Sequence, residues 1–226
     1  MPVLQSRRQV TPPTWFDSAP AQQLYQLEQQ MLLPQLAALP AQPWLWIAPS
    51  ARWLEGAALT GRGVRLYREG AGYDGDARCA LPLPLPNESV DAIVLQHVTA
   101  ADAAILLAEC ERVLMPGGRL FLTSLNPFSP FRTQWRRHGM VVRTPQRLRQ
   151  LLDQAGLDCG QTRFLGPAWP SSTAVSRLQP LRAACLFSVE KRTFALPGPT
   201  PLRVRWQAPM ATPGMTRSIL EPHEDH

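Results

Sequence analysis

The chain has 226 residues, a formal net charge of +6 and 45% hydrophobic residues. That is enough for one domain with a real core and short segments outside it. No apolar run approaches the roughly 18 residues of a membrane-spanning helix, and no apolar segment comes after Arg7-Arg8, so neither a span nor a secretory leader is expected. The four cysteines, Cys79, Cys110, Cys159 and Cys185, form no close pairs. This argues against a disulfide framework or a zinc site, and fits a reducing cytoplasm.

Taken in order, residues 1–14 are polar and basic and read as a flexible arm. Ser18 is placed to cap a helix over 18–33, with Leu24, Leu27, Met31 and Leu32 on one stripe and Pro34, Pro40 and Pro43 interrupting the segment after it. Trp44–Ala48 reads as the first strand and Gly63–Glu69 as the second. Gly70–Ala80 is loop-like, which leaves the third strand as a stub around Arg78–Leu81. Val90–Val98 suits a strand buried on both faces. Thr99 with Asp102 marks a helix start, and the helix runs to Met115 with Ala104, Leu107, Ala108 and Leu114 on one face. Pro116-Gly117-Gly118 stops it, and Leu120–Leu125 is a further buried strand. Strand, helix and strand with short links make a parallel βαβ unit.

Residues 128–149 are the most basic stretch, with Arg132, Arg136, Arg137, Arg143, Arg147 and Arg149 interleaved with Phe128, Phe131 and Trp135 and no acidic residue. Arg forks recognise phosphate or carboxylate, and aromatic faces stack bases. Arg132, Trp135, Arg136 and Arg137 are therefore candidates for an anionic substrate or RNA. A solvated basic face is the other reading. Thr144-Pro145 opens a helix that buries Leu148, Leu151, Leu152 and Ala155 and ends at Gly156. Leu157–Leu165 and Ala183–Val189 are the last strands. From 193 to 226 the chain is Pro-rich, with no core to bury.

Leu83-Pro84 through Ser89-Val90-Asp91, His97, Glu109 through Arg112-Val113-Leu114, and Pro116-Gly117-Gly118 resemble the second half of a class I S-adenosylmethionine-dependent methyltransferase domain, of the type 11 subgroup. Asn126-Pro127-Phe128-Ser129 is similar to a bacterial branch of that family. The resemblance implies an α/β fold over residues 15–192: a mostly parallel Rossmann-like sheet with a C-terminal antiparallel hairpin and helices on both faces. The N-terminal helix would pack on the sheet or cover the site.

It further implies S-adenosylmethionine as cofactor. The implied binding residues are Ala48, Pro49 and Ser50 after the first strand, Glu69 on the ribose, Asp76 or Cys79 near the adenine, and Gln96. The family has Gly-x-Gly where this chain has Ala48-Pro49-Ser50, and a Cβ at each position narrows the pocket. His97, at a strand end, is a candidate general base for a hydroxyl or amine acceptor; Asn126, at the next strand end, is a candidate for orienting it. Each also has a structural reading, His97 holding a loop and Asn126 opening a turn. The expected function is methyl transfer to a small or anionic acceptor, with no metal. The alternative is an inactive relative that binds RNA or a protein through its basic face.

Overall fold

The computed structural model describes residues 14–39, 43–55, 61–98, 102–138, 140–167 and 179–192. The arm before residue 14, Thr99 and the tail from 193 lie outside these residues.

Seven strands form one sheet in the order β3-β2-β1-β4-β5-β7-β6. They are β1 (Trp44–Ala48), β2 (Gly63–Glu69), β3 (Gly72–Gly75), β4 (Val90–Gln96), β5 (Leu114–Leu125), β6 (Leu157–Leu165) and β7 (Ala184–Lys191). β2, β1, β4 and β5 run parallel. β7 inserts antiparallel between β5 and β6. This is the expected mostly parallel α/β sheet with an antiparallel C-terminal hairpin.

Strand alternation sends side chains to two cores. Leu45, Ile47, Ile93, Leu95, Leu120 and Leu122 face α2 (Ala103–Val113) and α4 (Pro145–Gln154). Trp46, Ala48, Val94, Phe121 and Leu125 face α1 (Ala19–Ala37) and a set of buried aromatic rings. α4 forms as its sequence indicates. Thr144 caps it by accepting the Arg147 N–H at 3.2 Å, Leu148, Leu151 and Leu152 are buried, and Gly156 follows at φ +80°.

Three expectations are corrected. The first concerns α1, which does not stop at Pro34 but continues to Ala37, because a proline removes only one N–H from an otherwise bonded helix. Its inward stripe is Ala21, Leu24, Glu28, Leu32 and Leu36, while Leu27 is exposed. In α2 the buried face is Ala103, Leu106, Leu107, Cys110 and Val113. Ala104 and Ala108 point outward, and Leu114 already belongs to β5. Alanine is small enough for either face, so it carried no directional signal.

The third correction concerns residues 70–80. They are not a loop, because Gly72–Gly75 folds back on β2 as an antiparallel hairpin. The stub expected at Arg78–Leu81 amounts to one bridge between Tyr73 and Cys79. Glycine is required inside this hairpin: a Cβ on Gly75 would sit 2.3 Å from the Arg65 carbonyl oxygen.

Candidate active site at the carboxyl ends of β1 and β4

In an open α/β sheet, ligands bind beyond the carboxyl ends of the parallel strands. There the structure has a small cavity of about 30 Å³ lined by Phe16, Ala48, Pro49, Arg68, Gln96 and His97, among others. Larger hollows lie elsewhere. One of about 570 Å³ is lined by Arg119, Asp158 and Lys191, at the amino end of β5, where this fold places no ligand. Another of about 520 Å³ lies beside Pro145 and Phe128.

The feature that distinguishes the small cavity is a buried polar network. Gln96 and Thr123 are register partners on β4 and β5, so both stand at the same height under α1. Both donate to one carboxylate oxygen of Glu28, Oε2, at 3.0 Å each. Trp46 fixes Gln96 by donating to its Oε1 at 2.8 Å. The other oxygen, Glu28 Oε1, lies 2.9 Å from His97 Nε2, although neither atom completes a well-aligned hydrogen bond. Glu28 is fully buried. An unpaired carboxylate there would be costly by several kcal/mol, so the partners around it are what make its burial tolerable.

His97 reaches this network through its backbone. Alternation along β4 would turn it towards α2, the side of Leu95. Instead it adopts φ +50°, a left-handed conformation that costs a non-glycine residue roughly 1–2 kcal/mol. Its ring then lies on the α1 side, 5.2 Å from Phe16 and 4.9 Å from Trp53. Phe16 and Trp53 meet edge to face, and Trp53 donates its indole N–H to the Phe16 carbonyl at 3.2 Å. His97 Nδ1 and Ser50 Oγ are buried without a hydrogen-bond partner.

Not all expected site residues come together. Ala48, Pro49, Gln96 and His97 line the cavity, and Ser50 is next in the chain. Glu69 does not line it: it is exposed and faces Gly72 across the hairpin. The residue of β2 that faces the cavity is Arg68, one position earlier. It is paired with Asp102 and its guanidinium lies 5.5 Å from the Tyr73 ring centre. Asp76 is likewise elsewhere, binding the Arg65 backbone N–H at 2.8 Å and its guanidinium at 3.3 Å on the exposed hairpin. Cys79 is half-buried and held by backbone bonds to Tyr73.

Asn126 is fully buried, and its side chain serves the chain itself. It donates to the carbonyls of Pro180 and Arg182 at 2.7 and 2.8 Å and accepts the Phe128 N–H at 3.2 Å, so it ties the β5 exit to the approach to β7. Trp135 is corrected too. It is buried in α3 (Arg132–Arg137), 5.7 Å from Trp15 and stacked on Phe131, so its faces are taken. Arg132, Arg136 and Arg137 are exposed on the same short helix.

The reading from sequence missed Glu28, Phe16, Arg68 and Thr123. Glu28 did leave a signal: it lies midway between Leu24 and Leu32 at helical spacing, on the very stripe that had to be inward.

Among known proteins, the methyltransferase domain family matches residues 57–122. No curated protein matches the chain by sequence. Several solved structures share the fold. A chain in the complex between the Haloferax volcanii Trm112 methyltransferase activator and a putative methyltransferase has a TM-score of 0.52 at 15% identity, over 82% of this chain and 100% of that one. Geranyl diphosphate C-methyltransferase from Streptomyces coelicolor A3(2) has a TM-score of 0.51 at 16% identity, over 73% and 76%. A possible histamine N-methyltransferase from Thermotoga maritima has 0.51 at 19% identity, over 79% and 93%. The family match spans β2, β4 and α2, and together with the strand order it shows that the chain has the fold of S-adenosylmethionine-dependent methyltransferases, here with no glycine between β1 and Gly56.

Proposed function

We propose that the protein transfers a methyl group from S-adenosylmethionine to a small acceptor at the carboxyl ends of β1 and β4. The observation that supports this reading is that His97, which lines the cavity there, has both ring nitrogens buried without a completed hydrogen bond, in a sheet of this fold. A purely structural core gains nothing from them, since a buried unpaired polar atom costs roughly 1–3 kcal/mol.

The lining suits the donor in chemistry. Ala48, Pro49 and Ser50 would meet it at the tip of β1, and Gln96 and His97 at the end of β4. Bound there, it supplies an electrophilic methyl carbon on a sulfonium. The chain's own work is to exclude water with Val98 and Leu106 and to align the acceptor. The volume is what must change, since about 30 Å³ is far below the roughly 300–1,000 Å³ of ordinary ligand pockets. Phe16, on the turn leading into α1, is the side chain best placed to yield.

A second reading is favoured by the same volume and by Arg68, rather than a carboxylate, facing the cavity from β2. In it the donor site has closed and the exposed Arg132, Arg136 and Arg137 bind an anionic partner. Calorimetry with S-adenosylhomocysteine decides between them. Micromolar binding, lost in Pro49→Trp, is the expected result. No heat at millimolar ligand would overturn the methyl-transfer reading, and salt-dependent RNA binding lost in the triple Arg→Ala variant would then support the second.

A further inference from the structure

The hollow of about 520 Å³ beside Pro145 and Phe128 shares no lining residue with the small cavity at β1 and β4. It lies on the α4 side of the sheet, at the carboxyl end of β6. Its volume is within the roughly 300–1,000 Å³ of ordinary ligand pockets. Phe128, Pro145, Phe164 and Pro180 give it apolar walls, and Phe128 is 59% exposed, so its ring stands open to a ligand. These walls are fixed in advance. The buried Asn126 accepts the Phe128 N–H at 3.2 Å and donates to the Pro180 carbonyl at 2.7 Å, so one side chain sets two of them.

The charge in the hollow is also fixed. Arg149 of α4 is braced by Thr162 of β6, whose Oγ1 accepts its Nε–H at 3.3 Å and a terminal N–H at 2.8 Å. The other terminal nitrogen of Arg149 has no partner among the described residues, and no Asp or Glu among them lines the hollow. The hollow of about 570 Å³ differs on this point. There Arg119, Lys191 and Arg192 are accompanied by Asp158 and Glu190, which offset them.

We propose that the hollow beside α4 binds a small amphiphilic anion, a carboxylate or phosphate carried on an aromatic or alkyl body. The acid group takes a charge-assisted hydrogen bond from the free side of the Arg149 guanidinium, and the body lies against Phe128 and Phe164. Because Asn126 and Thr162 already hold the walls and the charge, little of the binding energy is spent on ordering the chain. The site is independent of the methyl-transfer reading and stands whether or not the small cavity admits the donor.

Phenyl phosphate is the probe, titrated into the full-length protein and followed by its ¹H–¹⁵N signals, the Arg149 Nε–H included. Millimolar or tighter binding is expected, with shifts centred on Phe128, Gln146 and Arg149. Inorganic phosphate and benzyl alcohol each carry half of the recognised chemistry, and each is expected to bind about tenfold more weakly. Arg149→Gln and Phe128→Ala are each expected to cost about tenfold in affinity, whereas Arg119→Gln, in the mixed-charge hollow, costs nothing. Arg149 and Phe128 are exposed, so both variants are expected to keep the wild-type denaturation midpoint. Phenyl phosphate that does not bind, that binds no better than inorganic phosphate, or that binds both variants as it binds wild type overturns the proposal. Vesicles containing phosphatidylglycerol identify the source of the ligand. Capture of the protein that phenyl phosphate competes away assigns the anion to a lipid surface; binding of phenyl phosphate without capture assigns it to a free acid.

Discussion

Arg112 grips Glu109 through two hydrogen bonds, from Nε at 3.0 Å and from a terminal guanidinium nitrogen at 2.8 Å. Together they reach across to the turn before β4. Glu109 accepts the Leu83 N–H at 2.8 Å, and Arg112 donates to the carbonyls of Leu83 and Leu85 at 3.0 and 2.9 Å. The Glu109–Arg112 pair thus clamps the Leu83-Pro84 turn, and β4 enters the sheet at a defined height.

The clamp has a pH signature. Hydrogen bonding from Arg112, opposed by partial burial and aided by the Leu83 N–H and the guanidinium charge, holds the Glu109 carboxyl below its ordinary value of 4.5. A folded pKa below the unfolded one stabilises the fold above the ordinary value and stops doing so as pH falls through the depressed one. Glu109→Gln is expected to lose about 1–2 kcal/mol at pH 7 and to show less additional loss on acidification than wild type. Urea unfolding of both proteins at a series of pH values checks this; parallel curves would remove Glu109 from the account.

Lys191, the chain's only lysine, is buried at the end of α2. Its ammonium donates to the Glu111 and Leu114 carbonyls at 2.9 Å each and lies 3.2 Å from the Glu111 carboxylate. It satisfies helix-end carbonyls that have no partner within the helix. Lys191→Met is expected to lower stability by about 1–3 kcal/mol, read as a lower denaturation midpoint. An unchanged midpoint would mean that water serves those carbonyls equally well.

Burial pushes the Cys110 thiol up to about 12. It does the same at Cys185, also to about 12, with Arg149 opposing the rise. Neither supplies thiolate near neutrality. Cys79 and Cys159 are only half-buried. A thiol reagent at pH 8 is expected to modify Cys79 and Cys159 first, with Cys110 and Cys185 reacting only on unfolding. Peptide mapping that finds Cys110 labelled early in the folded protein would contradict its place on the buried face of α2.

Phe16 sits against His97 and Trp53 and narrows the cavity. If its departure precedes ligand entry, the observed affinity is reduced by the fraction of molecules that are open. Phe16→Leu is expected to tighten S-adenosylhomocysteine binding about fivefold, roughly 1 kcal/mol, with stability lowered by about 1–2 kcal/mol. Weaker binding by calorimetry would show that the ring is part of the site and not its plug.

How much was legible in the sequence varied with the range of the forces involved. The segment from β4 to β5 was readable because its signals are local: β-branched residues for a strand buried on both faces, and Pro116-Gly117-Gly118 against a longer helix, although α2 already ends at Val113 and these three residues lie inside β5. Gly118 shows why glycine is needed in this part of β5, since a Cβ there would lie 2.9 Å from the Asp91 and Met115 carbonyl oxygens. The β2–β3 hairpin was less visible, because Gly72 and Gly75 read equally well as loop. Glu69 and Arg68 differ by one position, and alternation alone assigns no face until the neighbouring strands are in place.

Taken alone, the sequence determined the fold class and the strand that carries Gln96 and His97 to its carboxyl end, because hydrophobic periodicity and turn chemistry act over a few residues. The tertiary structure decided what those residues meet. Glu28 and Thr123, 95 positions apart, are joined only because α1 lies across β4 and β5. His97 faces α1 only because its backbone turns at φ +50°. A buried charge takes its partners from whatever the packing brings within about 3 Å, and that is settled by the whole fold at once.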